Sequence, residues 1–402
     1  MKSISIMTCG SVDDGKSTLL GRLIYETDNL LVDQSEYLSK LNQRYSKKDV
    51  DIDYSLLLDG LIDEKEQGIT IDIAFKYFTL DSTQFTLIDS PGHKEYTKNM
   101  ANAATFADAA LILVDASKGI SEQTKKHIEI VSMFPNIKHR IFCFNKMDKV
   151  RYSEEIFKKT SEDLTRFLIE NNYSAEEIIP VSATEGDNVF TNSKNMKYYK
   201  GPTLYKLLTD LKINQKSRDN GASIVKFINN STGIRTFYIE NTDISYRKGD
   251  KLKNVYTNET SEIENIFHNY KSVNSQKNLK NTSVQFKTDI SINKGDSLVP
   301  HNQNFIISDS FKSKIIWTSN SKLLKSKSYL FKFHSKQIKG FVSKTNRSNI
   351  SKNDIGEIQI ELEEKIHISE IHSNYYFSQL VIVDLDDNST VGFGYIVQNL
   401  DR

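Results

Sequence analysis

Cysteine, proline and tryptophan are all scarce: the 402 residues include two cysteines, five prolines and one tryptophan. Cys9 and Cys143 each sit inside an apolar stretch that reads as a strand. That placement argues against a disulfide framework and a thiolate metal site, and leaves both thiols as core residues. Charge of one sign is missing too. The 53 lysines and arginines against 52 aspartates and glutamates leave a formal charge of +1, so no global field points to nucleic acid or an anionic membrane. The apolar run from Ala107 to Val114 falls far short of the roughly 20 residues a membrane-spanning helix needs. Met1 to Met7 runs straight into a glycine-bearing loop with no room for a secretory leader. The expectation is a soluble, cytoplasmic protein without functional repeats or low-complexity segments.

What is present divides the chain. Short apolar runs (Ile4–Met7, Phe85–Ile88, Ala109–Val114, Ile141–Phe144) alternate with segments of helical period at Lys16–Tyr25, Lys94–Ala104, Glu122–Phe134, Ser153–Asn171 and Thr203–Leu211. Such alternation marks a parallel-rich sheet with helices on both faces. A polar stretch, Asn214 to Gly221, breaks it. Beyond, the period becomes two, as in Glu357–Leu362, and Lys248-Gly249-Asp250 and Lys294-Gly295-Asp296 read as turns. The expected organisation is an α/β domain over 1–212, a linker over 213–222, and two all-β barrel domains over 223–305 and 306–402.

Gly10-Ser11-Val12-Asp13-Asp14-Gly15-Lys16-Ser17 fits G-x-x-x-x-G-K-[ST] between the strand Ile4–Thr8 and a helix opening at Lys16. The α/β domain is therefore expected to be a P-loop GTPase domain. Backbone N–H groups from Gly10 to Thr18 can face phosphates, Lys16 can reach the β and γ oxygens, and the Ser17 hydroxyl can take Mg²⁺. Asp89-Ser90-Pro91-Gly92-His93 follows the strand Phe85–Ile88. Asp89 is placed to hold Mg²⁺ through water, the Gly92 N–H to meet the γ-phosphate, and His93 to orient the attacking water, since phosphoryl transfer needs an in-line nucleophile. Thr70, in Gly68-Ile69-Thr70 before an expected strand Ile71–Phe75, adds a second hydroxyl for Mg²⁺ and a γ-phosphate sensor. A lone histidine is more often structural, and a lone glycine loop can be chance; the ordered set is not.

The base is selected by Asn145-Lys146-Met147-Asp148, after the strand Ile141–Phe144. Asp148 can accept from guanine N1–H and the 2-amino group, which adenine lacks, so rejection of ATP by a factor on the order of 10⁴ follows from a buried, unpaired carboxylate. The Lys146 stem lies along the base, Asn145 ties this loop to the phosphate loop, and Ser182-Ala183, after Ile178–Val181, offers a backbone N–H to the guanine oxygen. Among other candidates, His334, His367 and His372 have no ligand spacing, and Trp317 reads as a core anchor.

These motifs resemble the translation-factor GTPases, and longer stretches are narrower still. GSVDDGKSTLLGRLIYE, DGLIDEKEQGITIDIAFKYF, DSPGHKEYTKNM, ADAALILVDASKGISEQTKKH and VSATEGDNVF with KYYKGPTL, and later SDSFKSKIIW, NDIGEIQIEL and NSTVGFGYI, resemble the GTPase large subunit of bacterial sulfate adenylyltransferase. Asp14, where elongation factor Tu has a histidine, supports the narrower likeness. The middle domain departs most from the family, in its glycines. The resemblance implies GTP and Mg²⁺ as cofactors and a separate catalytic small subunit as partner in a heterodimer or higher assembly. On that partner, ATP and sulfate become adenylyl sulfate and pyrophosphate, driven by GTP hydrolysis here through the segments around Thr70 and His93. No second phosphate loop is present, so the form fused to an adenylyl-sulfate kinase is not expected, nor is a nucleic-acid or membrane partner. A translation factor carrying aminoacyl-tRNA and a regulatory GTPase subunit without coupled catalysis stay open; the first lacks a concentrated arginine or aromatic set.

Overall fold

The protein is described here from a computed structural model over residues 2–27, 54, 72–81, 83–174, 177–212, 221–230, 233–242, 244–269, 271–277, 282–334, 336–370 and 375–400. It divides into two compact units, Met1–Ile213 and Asn214–Arg402.

The first unit runs β1 (Lys2–Cys9), α1 (Lys16–Glu26), β2 (Ala74–Leu80), β3 (Thr83–Asp89), a 3₁₀ turn at Lys94–Tyr96, α2 (Thr97–Phe106), β4 (Ala109–Asp115), α3 (Glu122–Met133), β5 (His139–Asn145), α4 (Glu154–Glu170), β6 (Glu177–Pro180) and α5 (Leu204–Thr209). The sheet order is β2-β3-β1-β4-β5-β6. Every pairing is parallel except the β2–β3 hairpin. β4 reads AALILVD with all of its residues buried, as a central strand covered on both faces must. Serine or threonine caps three helices: Ser121, Ser153 and Thr203 each accept the N–H of the residue three further on. From β1 the order runs outward to β3 on one side and β4 on the other. A crevice for ligands opens where strand order reverses, at the carboxyl ends.

One element starts later than its sequence suggests. The strand expected over Ile71–Phe75 is β2, Ala74–Leu80; Ile71 lies outside the described residues. The Asp72 carboxylate takes the Ile73 N–H at 2.7 Å, a local bond that competes with strand pairing. The apolar anchors of this edge strand, Phe78 and Leu80, come at its far end, while Phe75 and Tyr77 stay exposed.

The second unit is all β. β7 (Ala222–Asn229), β8 (Thr236–Thr242), β9 (Ser245–Arg247), β10 (Lys251–Asn254), β11 (Thr260–His268), β12 (Lys271–Val273), β13 (Ser275–Lys277), β14 (Thr282–Phe286) and β15 (Ser297–Pro300) come first. Their main sheet is ordered β10-β15-β7-β8-β14-β11-β12, and a further β10–β11 pairing turns six of these strands into a ring. β16 (Ile306–Trp317), β17 (Ser328–Phe333), β18 (Lys336–Thr345), β19 (Ile355–Ile368), a helical turn α6 (Tyr375–Ser378), β20 (Gln379–Asp384) and β21 (Thr390–Asn399) follow. These strands close a barrel in the order β16-β19-β18-β17-β20-β21. The fold is thus an α/β P-loop domain followed by two antiparallel β systems. Both Lys-Gly-Asp turns place glycine at positive φ, +92° at Gly249 and +91° at Gly295, as the third position of a type II turn demands. Trp317 is 1% exposed within the second barrel's core, its indole N–H on the Ser321 carbonyl at 2.7 Å. Cys9 and Cys143 are free and buried. No helix among the described residues is long and apolar enough to cross a membrane.

Candidate functional site

The loop between β1 and α1 is shaped by its backbone. Gly10, Asp13 and Gly15 take φ of +151°, +69° and +88°, conformations that favour glycine. Asp14 closes the curl from within, accepting the Ser11 N–H at 2.6 Å. Burial pushes the Asp14 carboxyl up to about 6, against the pull of that N–H bond and of Lys16. Lys16, also buried, rests its ammonium on the carbonyls of Gly10 (3.2 Å) and Ser11 (2.9 Å). Burial lowers its pKa, with Asp89 and Asp14 opposing the shift. A buried ammonium held mainly by neutral carbonyls is poised for an anion. Ser11 is bound on its far side to Ser121, the cap of α3, at 2.8 Å.

β3 delivers Asp89 beside this loop. Its two oxygens accept from the hydroxyls of Thr8 (2.9 Å) and Ser17 (3.1 Å). A buried carboxylate with a hydroxyl beside it is the hard-oxygen set that suits Mg²⁺. Ser90 donates its hydroxyl to the Thr8 carbonyl, and Pro91 is buried, so the segment is fastened to β1. A Cβ on Gly92 would strike the Lys16 ammonium and the Gly10 carbonyl; only glycine lets the two segments meet this closely. The Gln123 amide, from α3, donates to the Gly92 carbonyl. His93 follows with its ring 39% exposed, Nδ1 accepting the Glu95 N–H at 3.3 Å and the Tyr96 ring 6.0 Å away. Thr70 lies outside the described residues.

The base end is built around Asn145, the last residue of β5 and nearly fully buried. Its amide donates to the Asp14 carbonyl at 2.9 Å and its carbonyl accepts the Ala183 N–H at 2.9 Å, locking three loops together. Asp148 accepts the Ser182 hydroxyl at 2.6 Å. Met147 is buried with Ala116 and Met196 beneath. The Ser182 N–H goes to the Asp187 carbonyl at 3.2 Å. The Ala183 N–H is thus engaged with Asn145, and the next residue, Thr184, lines the same cavity.

Together these elements enclose a cavity of about 660 Å³, within the range of nucleotide-sized pockets. Val12, Asp13, Gly15, Lys16, Ser17, Thr18, Gly92, His93, Asn145, Lys146, Asp148 and Ala183 line it. Gly10, Ser11, Asp14, Asp89, Ser90, Pro91, Met147 and Ser182 are not in its wall, though contacts given above fasten most of them to residues that are. The motif reading missed Asp115, Ser117, Lys118, Lys149 and Thr184, which also line the cavity. Asp115 ends β4 and pairs with the Lys146 ammonium at 3.0 Å. Burial acts to raise the Asp115 pKa, but bonds from Ser117 (2.6 and 2.9 Å) and the Lys146 ion pair outweigh it and hold the carboxylate below its usual range. The signal available was its position, an acid at the carboxyl end of a wholly apolar central strand.

The family described as the elongation factor Tu GTP binding domain matches residues 1–229. Sulfate adenylyltransferase subunit 1 of Shewanella woodyi is 33% identical over 407 residues, spanning 98% of this chain and 86% of that relative. The protein of the same name from Buchnera aphidicola subsp. Acyrthosiphon pisum is 34% identical over 419 residues, spanning 99% and 87%. Among solved structures, the GTPase-like domain of S. cerevisiae Ski7, bound to GDP and inorganic phosphate, aligns with a TM-score of 0.58 at 17% identity over 98% of this chain and 97% of that one. The bacterial selenocysteine-specific elongation factor EF-Sec aligns with a TM-score of 0.50 at 23% identity, over 98% and 58%. At these identities the two structures speak for the fold alone.

Proposed function

This chain belongs to the sulfate adenylyltransferase subunit 1 family, on an elongation factor Tu type GTP-binding domain, and from that premise we propose how it works. The chain is a GTPase subunit that holds GTP and Mg²⁺ in the strand-end cavity. Its hydrolysis of GTP drives a separate catalytic subunit to join ATP and sulfate into adenylyl sulfate and pyrophosphate. The observation that carries the nucleotide reading is the Asn145 bridge, which fixes the distance between a phosphate loop and a base loop on one rigid sheet edge. The partner rests on the relatives, which are named as subunit 1.

In this reading Lys16 leaves the Gly10 and Ser11 carbonyls for the β and γ oxygens, and the loop N–H groups take the remaining phosphate charge. Ser17 and Asp89, with Thr70 as a third, would hold Mg²⁺, which would supply charge neutralisation to the phosphates. His93 presents its Nε2 side to the attacking water, orienting it in line. Asp148 takes the N1–H and 2-amino group of guanine, and Lys146, held by Asp115, covers the base.

The test is GTP hydrolysis by the purified chain alone and with a sulfate adenylyltransferase subunit 2, each with and without ATP and sulfate. Stimulated turnover together with adenylyl sulfate, both lost in His93→Ala, is the expected result. GTP turnover indifferent to that partner would overturn the coupled reading and leave a GTPase of other purpose.

A further inference from the structure

Arg22, on α1 beyond the phosphate loop, touches three parts of the first unit. Its Nη1 donates to the Thr184 carbonyl at 2.7 Å and to the Tyr54 hydroxyl at 3.0 Å. Nε and Nη2 hold Glu26 Oε1 at 2.8 and 2.7 Å. The guanidinium carbon lies 4.8 Å from the centre of the Tyr54 ring, and the side chain is only 14% exposed. The loop makes room for it: Gly186 takes φ +80°, and a Cβ there would strike the guanidinium. Tyr54 in turn packs on α1 at Gly21, where a Cβ would collide with the Tyr54 carbonyl.

The turn that Arg22 grips is the base loop. Asn145 holds it at the Ala183 N–H and Asp148 at the Ser182 hydroxyl, both from the β5 side. Arg22 supplies the hold from the α1 side, one peptide past the N–H of Thr184. We propose that Arg22 is a positioning residue for base recognition, setting where the 183–184 backbone meets the 6-oxo edge of guanine. This rests on the guanine-site reading above. The same helix thus carries the phosphate-facing Lys16 and Ser17 at one end and, through Arg22, fixes the base loop. A planar fork is required for the simultaneous bonds to Thr184, Tyr54 and Glu26, which a lysine cannot make together.

The experiment measures GDP binding by calorimetry, ADP by competition, and steady-state GTP hydrolysis, on the full chain and on Arg22→Ala, Arg22→Lys and Gly186→Ala. Arg22→Ala is expected to weaken GDP about tenfold, the scale of one charge-assisted hydrogen bond. The GDP-to-ADP preference narrows with it, KM rises by more than kcat falls, and Arg22→Lys recovers part of the loss. Gly186→Ala, which displaces the guanidinium, moves the preference the same way. A preference at the unaltered chain's value in all variants, or kcat falling as far as KM rises, overturns the inference. If Arg22→Ala does not fold, the same comparison is read from the other two variants. An unaltered chain that binds no GDP removes the nucleotide reading itself; normal binding with an unmoved preference in the variants removes only the role of Arg22.

Discussion

In the first unit Asp14, Lys16, Asp89 and Asp115 are all buried at or just behind one cavity wall. In the second, Asp296 is the one fully buried member of the described aspartates, glutamates, lysines and arginines. Asp296 is met on all sides, by Lys336 at 3.2 Å, the Asn254 amide at 2.9 Å and the Asn293 N–H at 2.9 Å, and its work is to close a turn. Lys16 rests on two neutral carbonyls, and burial raises the Asp14 pKa to about 6. A lone buried charge enclosed by its partners serves structure; several buried charges gathered along one cavity wall mark a candidate site.

That contrast can be broken by substitution. Lys16→Ala should lower kcat/KM for GTP by a factor on the order of 10³ or more, because the phosphate charge loses its main cation. Its thermal midpoint should not fall, since a poorly paired buried charge is removed. A parallel collapse of stability would put Lys16 in the same class as Asp296. His93→Ala should lower kcat about a hundredfold, the scale of a positioned polar group, with GDP affinity within about twofold; a matching loss of GDP affinity would make His93 a binding residue instead. Asp296→Ala should destabilise the second unit by about 3 kcal/mol by stranding Lys336 and the buried Asn254 amide, with nucleotide binding retained. Fluorescence of Trp317, the single tryptophan, reports that unit alone.

The smallest effect is in pH. Burial lowers the pKa of His334 to about 3 and of His367 to about 4, from 6.5. Their neutral rings lie against Tyr376 at 4.1 Å and Phe377 at 4.6 Å respectively. A folded pKa below the unfolded one means stability present above pH 6.5 and lost as pH falls toward the folded value of each ring. The Trp317 signal should show that loss, and His367→Leu should blunt it. Asp14 works in the opposite direction. With its folded pKa raised from 3.8 to about 6, its stability contribution is complete below 3.8 and is lost as pH rises to 6. Relative to Asp14→Asn, the unaltered chain should therefore lose ground across that window. A difference independent of pH would contradict the burial assigned to Asp14.

Much of the site was legible because its residues are local in sequence: G-x-x-x-x-G-K-S, DSPGH and NKMD each carry backbone geometry and chemistry in a few adjacent positions. What stayed hidden depends on distance. The pairing of Asp115 with Lys146 and of Arg22 with Thr184, 162 residues on, is tertiary and absent from any local motif. The N–H groups of Ser182 and Ala183 are engaged with Asp187 and Asn145, tertiary contacts that no local motif shows. The start of β2 was misplaced because an apolar run signals a strand without saying which half reaches the core, and Asp72 diverts its first residues. A barrel was expected over 223–305, but that β10 and β11 are the strands that close it was not legible, since turns mark where strands end and not which strands pair.

The most direct test of the central claim, a guanine site at the strand ends, is equilibrium binding of GDP, ADP and xanthosine diphosphate to the chain and to Asp148→Asn. The account predicts GDP preferred over ADP by a factor on the order of 10⁴. In the variant, an amide donor facing the base should move the preference from GDP to the xanthosine nucleotide. Equal affinity for GDP and ADP, or a preference unmoved by Asp148→Asn, would contradict it.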